Sequence, residues 1–392
     1  MKPATCKLII AILLSGLILA ACGGEVVPTE SLLDLRIDPC GDGTCQEDET
    51  YASCPADCPA EAELLPTPTE EIDPLGYITF VVKVGDFIHL DQSSETLLKL
   101  VDLFESNGVK GDFYLTGPMT HAYMEKHPEV IQRLTDTGMT ISYQVRPPHP
   151  LVPGFQGPLQ IGAVNLKLER IEDYESHRLD LRTGGLLESE PGGFRYLTEI
   201  FKAPPYTVST PKDSIQGFAL PLFPRMGAQM VVLDHPSNTS IDNPLVQVHG
   251  MWVRPADIQI SHWTSVGIDA SMAWWDMLAT DFAASYQPVS HLQEELESWG
   301  VDRLPFVIVT IDAYNFYREG PPPWTMIYYQ APGSTQPNSP PYNLDAPDLT
   351  SPRSPENEIA VWEAYSDLVE WAATYMQVVT SADIVHMATM GE

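Results

Sequence analysis

The alternation of apolar and polar positions from Tyr77 onward predicts alternating strands and helices. Tyr77 to Val84 is β-branched and aromatic, as in a buried strand. Glu95 to Ser106 places apolar residues at helical spacing, and Val109 to Leu115 is a second strand-like run. A helix through Pro128 to Leu134 leads to a third strand at Met139 to Val145. This βαβαβ order favours a parallel sheet.

The later part of the chain continues this pattern more sparsely. Gln229 to Leu233 and Phe306 to Ile311 are unbroken apolar runs, typical of buried parallel strands. Glu356 to Met376 follows Ser-Pro and predicts a long helix. Glu319 to Pro355 is rich in Pro and aromatic residues without periodicity, so we expect a surface excursion. Residues 75–388 therefore form one large α/β domain of barrel-like type.

The first residues have the order of an export signal. Lys2 and Lys7 precede an apolar run that is too short to span a bilayer comfortably, and Leu19-Ala20-Ala21-Cys22 closes it. A Cys directly after these small residues resembles the lipobox of bacterial lipoproteins. We therefore predict a signal peptide over residues 1–21, a lipid anchor at Cys22 and an extracytoplasmic, lipid-anchored protein of the cell envelope. The alternative is an ordinary secretory signal cut before a chance Cys.

A small cysteine module follows a tether over residues 22–39. Four cysteines fall within residues 40–58, and in an oxidising compartment they predict two disulfides of unknown pairing: Cys40, Cys45, Cys54 and Cys58. The surrounding Cys-Gly-Asp-Gly sequence resembles small modules of other exported bacterial proteins. A zinc site or a calcium loop is the alternative, although the cysteine spacing fits zinc poorly. Residues 59–74, rich in Pro and Glu, predict a linker.

Charge excludes one class of partner. The chain has 53 acidic and 21 basic residues and a formal charge of −32. Such a field repels phosphate backbones and anionic lipid headgroups, so nucleic acid is not expected to bind. With 44% hydrophobic residues the chain can still build a large core, and contact with the membrane is expected through the lipid anchor only.

Polar side chains stand where the predicted strands end. They are Asp86 and His89 after the first strand, Gln144 and His149 at the third, Lys202 and Tyr206 in a middle segment, and Asp312 after a late strand. Because ligands bind beyond the carboxyl ends of parallel strands, we expect these side chains to line one site.

These residues sit in a sequence that resembles the polysaccharide deacetylases of NodB-homology type. The resemblance is carried by Gly108 to Gly117, His127-Pro128, Gly138 to Ile141 and, more weakly, Phe201 to Tyr206. It implies a deformed (β/α) barrel of the type found in glycoside hydrolases and deacetylases. It also implies a surface-anchored, metal-dependent hydrolase acting on C–N bonds, such as N-acetyl groups, of a cell-wall or extracellular glycan.

Residue by residue, the resemblance implies roles for seven positions. Asp86 matches the metal-binding Asp and His149 the second metal-binding His, with zinc as the expected divalent metal. Gln144 stands at the first metal His, and His89 is a possible replacement ligand. Lys202 stands at an orienting Arg, Tyr206 at the Tyr of the same motif, and Asp312 at the late catalytic His, where it could transfer protons.

The departures from the family pattern leave other functions open. Gly85 occupies the position of the general base, and an amide oxygen at Gln144 is a poor zinc ligand. One alternative is a carbohydrate-binding lipoprotein that has lost the catalytic set. Another is a glycosidase with paired carboxylates such as Asp86 and Asp312.

Overall fold

The structure is a computed structural model that describes residues 73–210, 216–233, 246–248, 251–255, 260–262, 287–298 and 305–390. The chain divides into two units, Met1–Glu71 and Ile72–Glu392. The signal, the anchor, the cysteine module and nearly all of the linker lie outside the described residues, so those expectations stay predictions.

One large sheet organises the second unit. Its strands are β1 (Tyr77–Lys83), β2 (Asp112–Leu115), β3 (Thr140–Gln144), β6 (Thr207–Thr210), β7 (Met230–Leu233), β8 (Val246–Val248), β9 (Met251–Pro255), β10 (Ile260–His262), β11 (Pro305–Asp312) and β14 (Gln377–Val378). Their order is β10-β11-β1-β2-β3-β6-β7-β9-β8, with β14 beside β1. The seven strands from β11 to β9 are parallel, and β10 and β8 pair antiparallel at the two edges.

The helices fill the connections of this sheet. They are α1 (Leu90–Ser106), α2 (Gly117–Lys126), α3 (Pro128–Asp136), α4 (Val164–Tyr174), α5 (Gly193–Phe201), α6 (Gln216–Met226), α7 (Pro288–Ser298), α8 (Thr325–Tyr328), α9 (Pro355–Tyr375) and α10 (Ser381–Met390). Two small hairpin-like pairs lie outside the main sheet, β4 (His177–Leu179) with β5 (Leu186–Pro191) and β12 (Arg318–Glu319) with β13 (Ser351–Pro352). No helix in the described ranges has the length and apolar character needed to cross a membrane.

The apolar run of β1 is explained by burial on both faces of the sheet. Ile78, Phe80 and Val82 belong to the large core that includes the outer helices. Val81, on the opposite face, belongs to a second cluster that includes Ile384 of α10. Because successive side chains of a strand point to opposite faces, a strand buried on both sides is mostly apolar, and Thr79 is the buried polar residue of β1.

The predicted elements are confirmed in type and shifted at their ends. The parallel α/β sheet is as expected, and it curls like part of a barrel. Helix α1 begins at Leu90, five residues before the predicted start. The prediction relied on apolar residues at helical spacing, and it missed the first turn because residues buried there, such as Ser93, are polar. Helix α2 is absent from the prediction because its apolar periodicity is weak. It is instead started by Thr116, whose side chain accepts a hydrogen bond from the Met119 N–H.

A buried carboxylate ties α10 to the sheet. Asp112, at the start of β2, is 1% exposed. Its Oδ1 accepts a hydrogen bond from the Ser142 hydroxyl at 2.6 Å, and its Oδ2 accepts one from the Ser381 hydroxyl. Since Ser381 is the first residue of α10, this contact fixes the start of the helix against the amino edge of the sheet.

We expect Ser381→Ala to lower the free energy of unfolding by about 1–3 kcal/mol, because it removes a donor from a buried charge. Chemical denaturation followed by circular dichroism measures this change. The matched control is Ser106→Ala, which removes an exposed serine hydroxyl at the end of α1. Equal stability of both variants and the parent would contradict the assignment of the Asp112 contact as a structural tie.

Candidate functional site

The site lies at the carboxyl edge of the sheet, where β1 and β11 end side by side. Lys83 pairs in register with Asp312, and β2 and β3 continue the same edge. The expectation that Asp86, Gln144 and Asp312 follow strand ends at one edge is therefore correct.

Asp86 is buried and its two carboxylate oxygens are occupied. Oδ1 accepts hydrogen bonds from the backbone N–H groups of Ile88 at 3.0 Å and His89 at 3.1 Å. Oδ2 accepts one from the Tyr317 hydroxyl at 2.8 Å and contacts His89 Nδ1 at 2.9 Å. Burial, then the charge of Asp86, raise the pKa of Tyr317, so its hydroxyl stays protonated and keeps donating.

His89 connects two carboxylates. Its Nδ1 faces Asp86, and its Nε2 lies 3.2 Å from Oδ2 of Asp348. Asp348 also accepts hydrogen bonds from Arg318 at 2.9 Å and from the Thr350 hydroxyl at 2.7 Å. His89 therefore fastens the excursion after β11 to the exit of β1, and both of its ring nitrogens have partners.

Gln144 closes the ends of two strands. Its Nε2 donates to the backbone carbonyls of Val84 at 2.9 Å and Tyr114 at 3.0 Å. Its Oε1 accepts a hydrogen bond from Arg146 Nε at 3.2 Å. The side chain is 3% exposed, so this amide satisfies buried backbone groups and is itself satisfied.

Arg146 provides the positive charge of the site. Besides Gln144, its guanidinium donates from Nη2 to Oδ1 of Asp312 at 3.0 Å. It also lies over the indole ring of Trp324, 5.7 Å from the ring centroid. The side chains of Arg146 and Asp312 are 27% and 32% exposed, so this ion pair faces solvent.

His149 turns away from Asp86 and faces the buried carboxylate of Glu175. His149 Nε2 lies 3.2 Å from Glu175 Oε1, without the alignment of a good hydrogen bond. Its Nδ1 accepts a hydrogen bond from the Leu151 N–H at 3.1 Å, which places the ring proton of a neutral imidazole on Nε2. Glu175 is fully buried, and its Oε2 accepts from the Phe194 N–H at 3.0 Å. Burial, then the charge of Glu175, raise the pKa of the Tyr143 hydroxyl.

The predicted strand exit at Phe201 to Tyr206 is wrong. Lys202 is the exposed C-terminal cap of α5, in a left-handed conformation with φ 60°. Tyr206 precedes β6, and its N–H donates to the Ile141 carbonyl. This segment is thus a strand entrance at the amino edge, because β6 runs parallel to β3. Lys202 and Tyr206 do not join Asp312 at the carboxyl edge. Tyr206 instead packs against the second core cluster, the one that includes Val81 and Ile384.

The residues present do not fit a zinc ion. Zinc needs free lone pairs from about three protein ligands around one point. The ligand atoms of Asp86, His89, Gln144 and His149 already face donors or carboxylates of the protein. Across the described ranges, no three His, Cys, Asp or Glu side chains are grouped so that they could hold a metal. The zinc expectation therefore has no support from these contacts.

The opening above Gln144 is small. The space lined by Gly85, Gln144, Arg146, His149 and Trp324 encloses about 30 Å³. This volume suits one or two water molecules and not a sugar ring. A larger ligand at this opening contacts the exposed Arg146–Asp312 ion pair, which we call the mouth. The indole of Trp324 lies beneath Arg146 and is 9% exposed.

The sequence pattern gives no role to several residues that the structure brings into the site. Arg146 follows Gln144 by two positions, and Glu175 caps the end of α4. Tyr317 comes five residues after Asp312, and Asp348 belongs to the excursion. The only available signal was their polar character among apolar neighbours, which is too common to single them out.

We expect Gln144→Leu to lower the free energy of unfolding by about 2 kcal/mol, since the Val84 carbonyl and Arg146 Nε each lose the Gln144 hydrogen bond. The Tyr114 carbonyl keeps its hydrogen bond from the Val84 N–H. Urea denaturation of the metal-free protein tests this. Gln132→Leu is the control, because Gln132 makes a single exposed bond, to Asp136. An unchanged stability for Gln144→Leu, together with lost zinc retention, would instead assign Gln144 to a metal site.

No protein-family model and no curated protein matches the chain. Among solved structures, the 4-alpha-glucanotransferase from Thermococcus litoralis is 12% identical with a TM-score of 0.41. The alignment covers 79% of this chain but 38% of that enzyme. A putative polysaccharide deacetylase from Mycobacterium smegmatis is 12% identical with a TM-score of 0.39, over 81% of this chain and 91% of the other. A peptidoglycan N-acetylglucosamine deacetylase is 10% identical with a TM-score of 0.27, over 61% of this chain and 87% of the other.

Proposed function

We propose that this protein is an extracytoplasmic, lipid-anchored carbohydrate-binding protein on a deacetylase-like α/β scaffold, without metal-dependent hydrolysis. The single observation that carries the proposal is the bonding of Arg146. Its guanidinium joins Gln144, which stands where the deacetylase pattern has a metal-binding His, to Asp312, which stands where that pattern has a catalytic His.

The electrostatics of the mouth support this reading. A deacetylase needs a cation that binds water and polarises the amide carbonyl. In this chain the cation beside Gln144 is a guanidinium, whose donors are held by Gln144 and Asp312. A guanidinium is permanently protonated and has no free lone pair, so it can neither activate water as a base nor coordinate it.

The general base of the deacetylase pattern is also missing. Gly85 stands at that position, and a Cβ built there would lie 3.8 Å from Trp324 Nε1 and 3.9 Å from Arg146 Nε. Asp86 cannot take over the role, because it is buried and its oxygens each hold donors. Asp312 is the exposed carboxylate next to Arg146, which holds its Oδ1 in an ion pair.

What remains at the mouth suits binding of a sugar without turnover. Arg146 and Asp312 present a planar donor group and an acceptor to solvent, and the buried indole of Trp324 supports the guanidinium from below. Sugar hydroxyls are recognised by such planar polar side chains. The sequence resemblance to polysaccharide deacetylases supports a glycan as the ligand class.

We expect the mature chain to retain less than about a tenth of an equivalent of zinc after loading and desalting, because its candidate ligand atoms are engaged. Elemental analysis measures this.

We also expect the mature chain to bind N-acetylglucosamine oligosaccharides, as measured by calorimetry, without releasing acetate. Arg146→Ala should weaken binding by about tenfold or more.

The control for that variant is Arg178→Ala. Arg178 is similarly exposed at 30% and is also ion-paired, to Glu125 and Glu190, but it lies on β4 outside the mouth. One retained equivalent of zinc with acetate release would overturn the proposal in favour of the hydrolase. Equal sugar affinity for the parent and Arg146→Ala would remove the mouth as the binding surface.

A further inference from the structure

Carboxylates are absent from two long segments of this very acidic chain. Thr137 to Leu168 contains no Asp or Glu over 32 residues, although the mean frequency of 53 in 392 would place about four there. Gly320 to Leu344 is likewise free of acidic residues. The two segments pack together through Phe155, whose ring lies 5.6 Å from Tyr329 and 6.1 Å from Tyr342. They therefore form one region whose own residues include no carboxylate, on a protein of charge −32.

The first of these segments ends in an exposed apolar tip, which we define as Ile161, Val164 and Leu166. Their exposed fractions are 78%, 62% and 46%. Nine large hydrophobic side chains are exposed in the described part of the chain, and these three fall within six positions. Single exposed apolar residues are ordinary, whereas a cluster marks a surface that contacts an apolar partner.

The apolar tip is held in place and carries positive charge at its base. Arg170 Nη1 donates to the backbone carbonyls of Pro158 at 2.6 Å and Ile161 at 3.3 Å. This ties the loop before α4 to the helix, so the exposed side chains are presented by an ordered backbone. Lys167 lies one turn before Arg170, and the first carboxylate in sequence after the tip is Glu169.

Three of the other exposed apolar residues have different surroundings. Leu187, Leu349 and Ile359 are exposed to 38%, 45% and 57%, and each is adjacent in sequence to a carboxylate, Glu188, Asp348 and Glu358 respectively. A surface that attracts anionic lipid headgroups needs more cations than carboxylates. Residues 161–171 have two cations, Lys167 and Arg170, and one carboxylate, Glu169. By charge, the apolar tip is the exposed apolar surface that matches an anionic bilayer.

The geometry points to the apolar tip as a membrane-docking surface that inserts into the headgroup region of an anionic bilayer. Ile161, Val164 and Leu166 would supply the apolar contact, and Lys167 and Arg170 the attraction to anionic headgroups. A single lipid anchor commonly requires a second membrane signal for stable attachment, and this surface supplies one. The surface would act together with the predicted anchor at Cys22 but does not depend on the proposed sugar binding.

The length of chain before the described domain allows this contact. Residues 23–72 lie between the predicted anchor and the domain. Those 50 residues reach at most about 170 Å when fully extended, against a domain radius of gyration of roughly 20 Å. The tether therefore does not prevent the apolar tip from meeting the membrane that holds the anchor.

Vesicle co-sedimentation of the mature chain carrying Cys22→Ser tests the surface without the acyl groups. We expect it to bind vesicles of phosphatidylethanolamine and phosphatidylglycerol, and to bind phosphatidylcholine vesicles several-fold more weakly. Replacing Ile161, Val164 and Leu166 by Ser together should reduce binding by about tenfold or more. The matched control replaces Leu187, Leu349 and Ile359 by Ser and should bind like the parent.

Three results would overturn the inference. One is equal vesicle binding by the tip variant and the parent, or no vesicle binding by a parent that is folded by circular dichroism. The second is a concentration-dependent dimer that the tip variant loses, which would make the tip a contact between copies of the chain. The third is loss of sugar affinity in the tip variant with vesicle binding unchanged. Loss of vesicle binding with sugar affinity kept supports the inference even if the mouth fails its own test.

Discussion

Two backbone carbonyls, of Val84 and Tyr114, end neighbouring parallel strands, and the amide of Gln144 donates a hydrogen bond to each. The remaining oxygen of that amide orients Arg146, and Arg146 in turn holds Asp312. The arrangement of the carboxyl edge therefore depends on one neutral side chain that satisfies buried backbone groups. An imidazole could not donate to both carbonyls and also accept from Arg146, because it has only two ring nitrogens.

The other polar side chains of the site also bind partners within the protein. Asp86 organises its own turn and bonds Tyr317 and His89, and His89 reaches Asp348 in the excursion. His149 and Glu175 connect the loop after β3 to the end of α4. Polar side chains that could serve chemistry instead join loops to strands, since buried polar groups are costly without partners. At this edge of the sheet, the Arg146–Asp312 pair is part-exposed and faces solvent.

Acidic residues are unevenly distributed along the chain. The chain is strongly acidic, yet both segments that surround the mouth and the apolar tip lack carboxylates. An acidic surface keeps the protein away from anionic polymers and bilayers. A region without carboxylates can approach such surfaces. The proposed glycan binding and the proposed docking on lipid would therefore both use the segments that lack Asp and Glu.

The sequence by itself determined the parallel α/β architecture, because strands such as β1 and β11 that are buried on both faces are apolar at most of their positions. It also located Asp86, Gln144 and Asp312 at strand ends. Tertiary structure alone decided which polar atoms meet, since Glu175 and Asp348 contact His149 and His89 from distant positions. It also placed Tyr206 at the entrance of β6 rather than at an exit. Periodicity reports burial, whereas the partner of a buried polar atom depends on contacts between segments that are far apart in the chain.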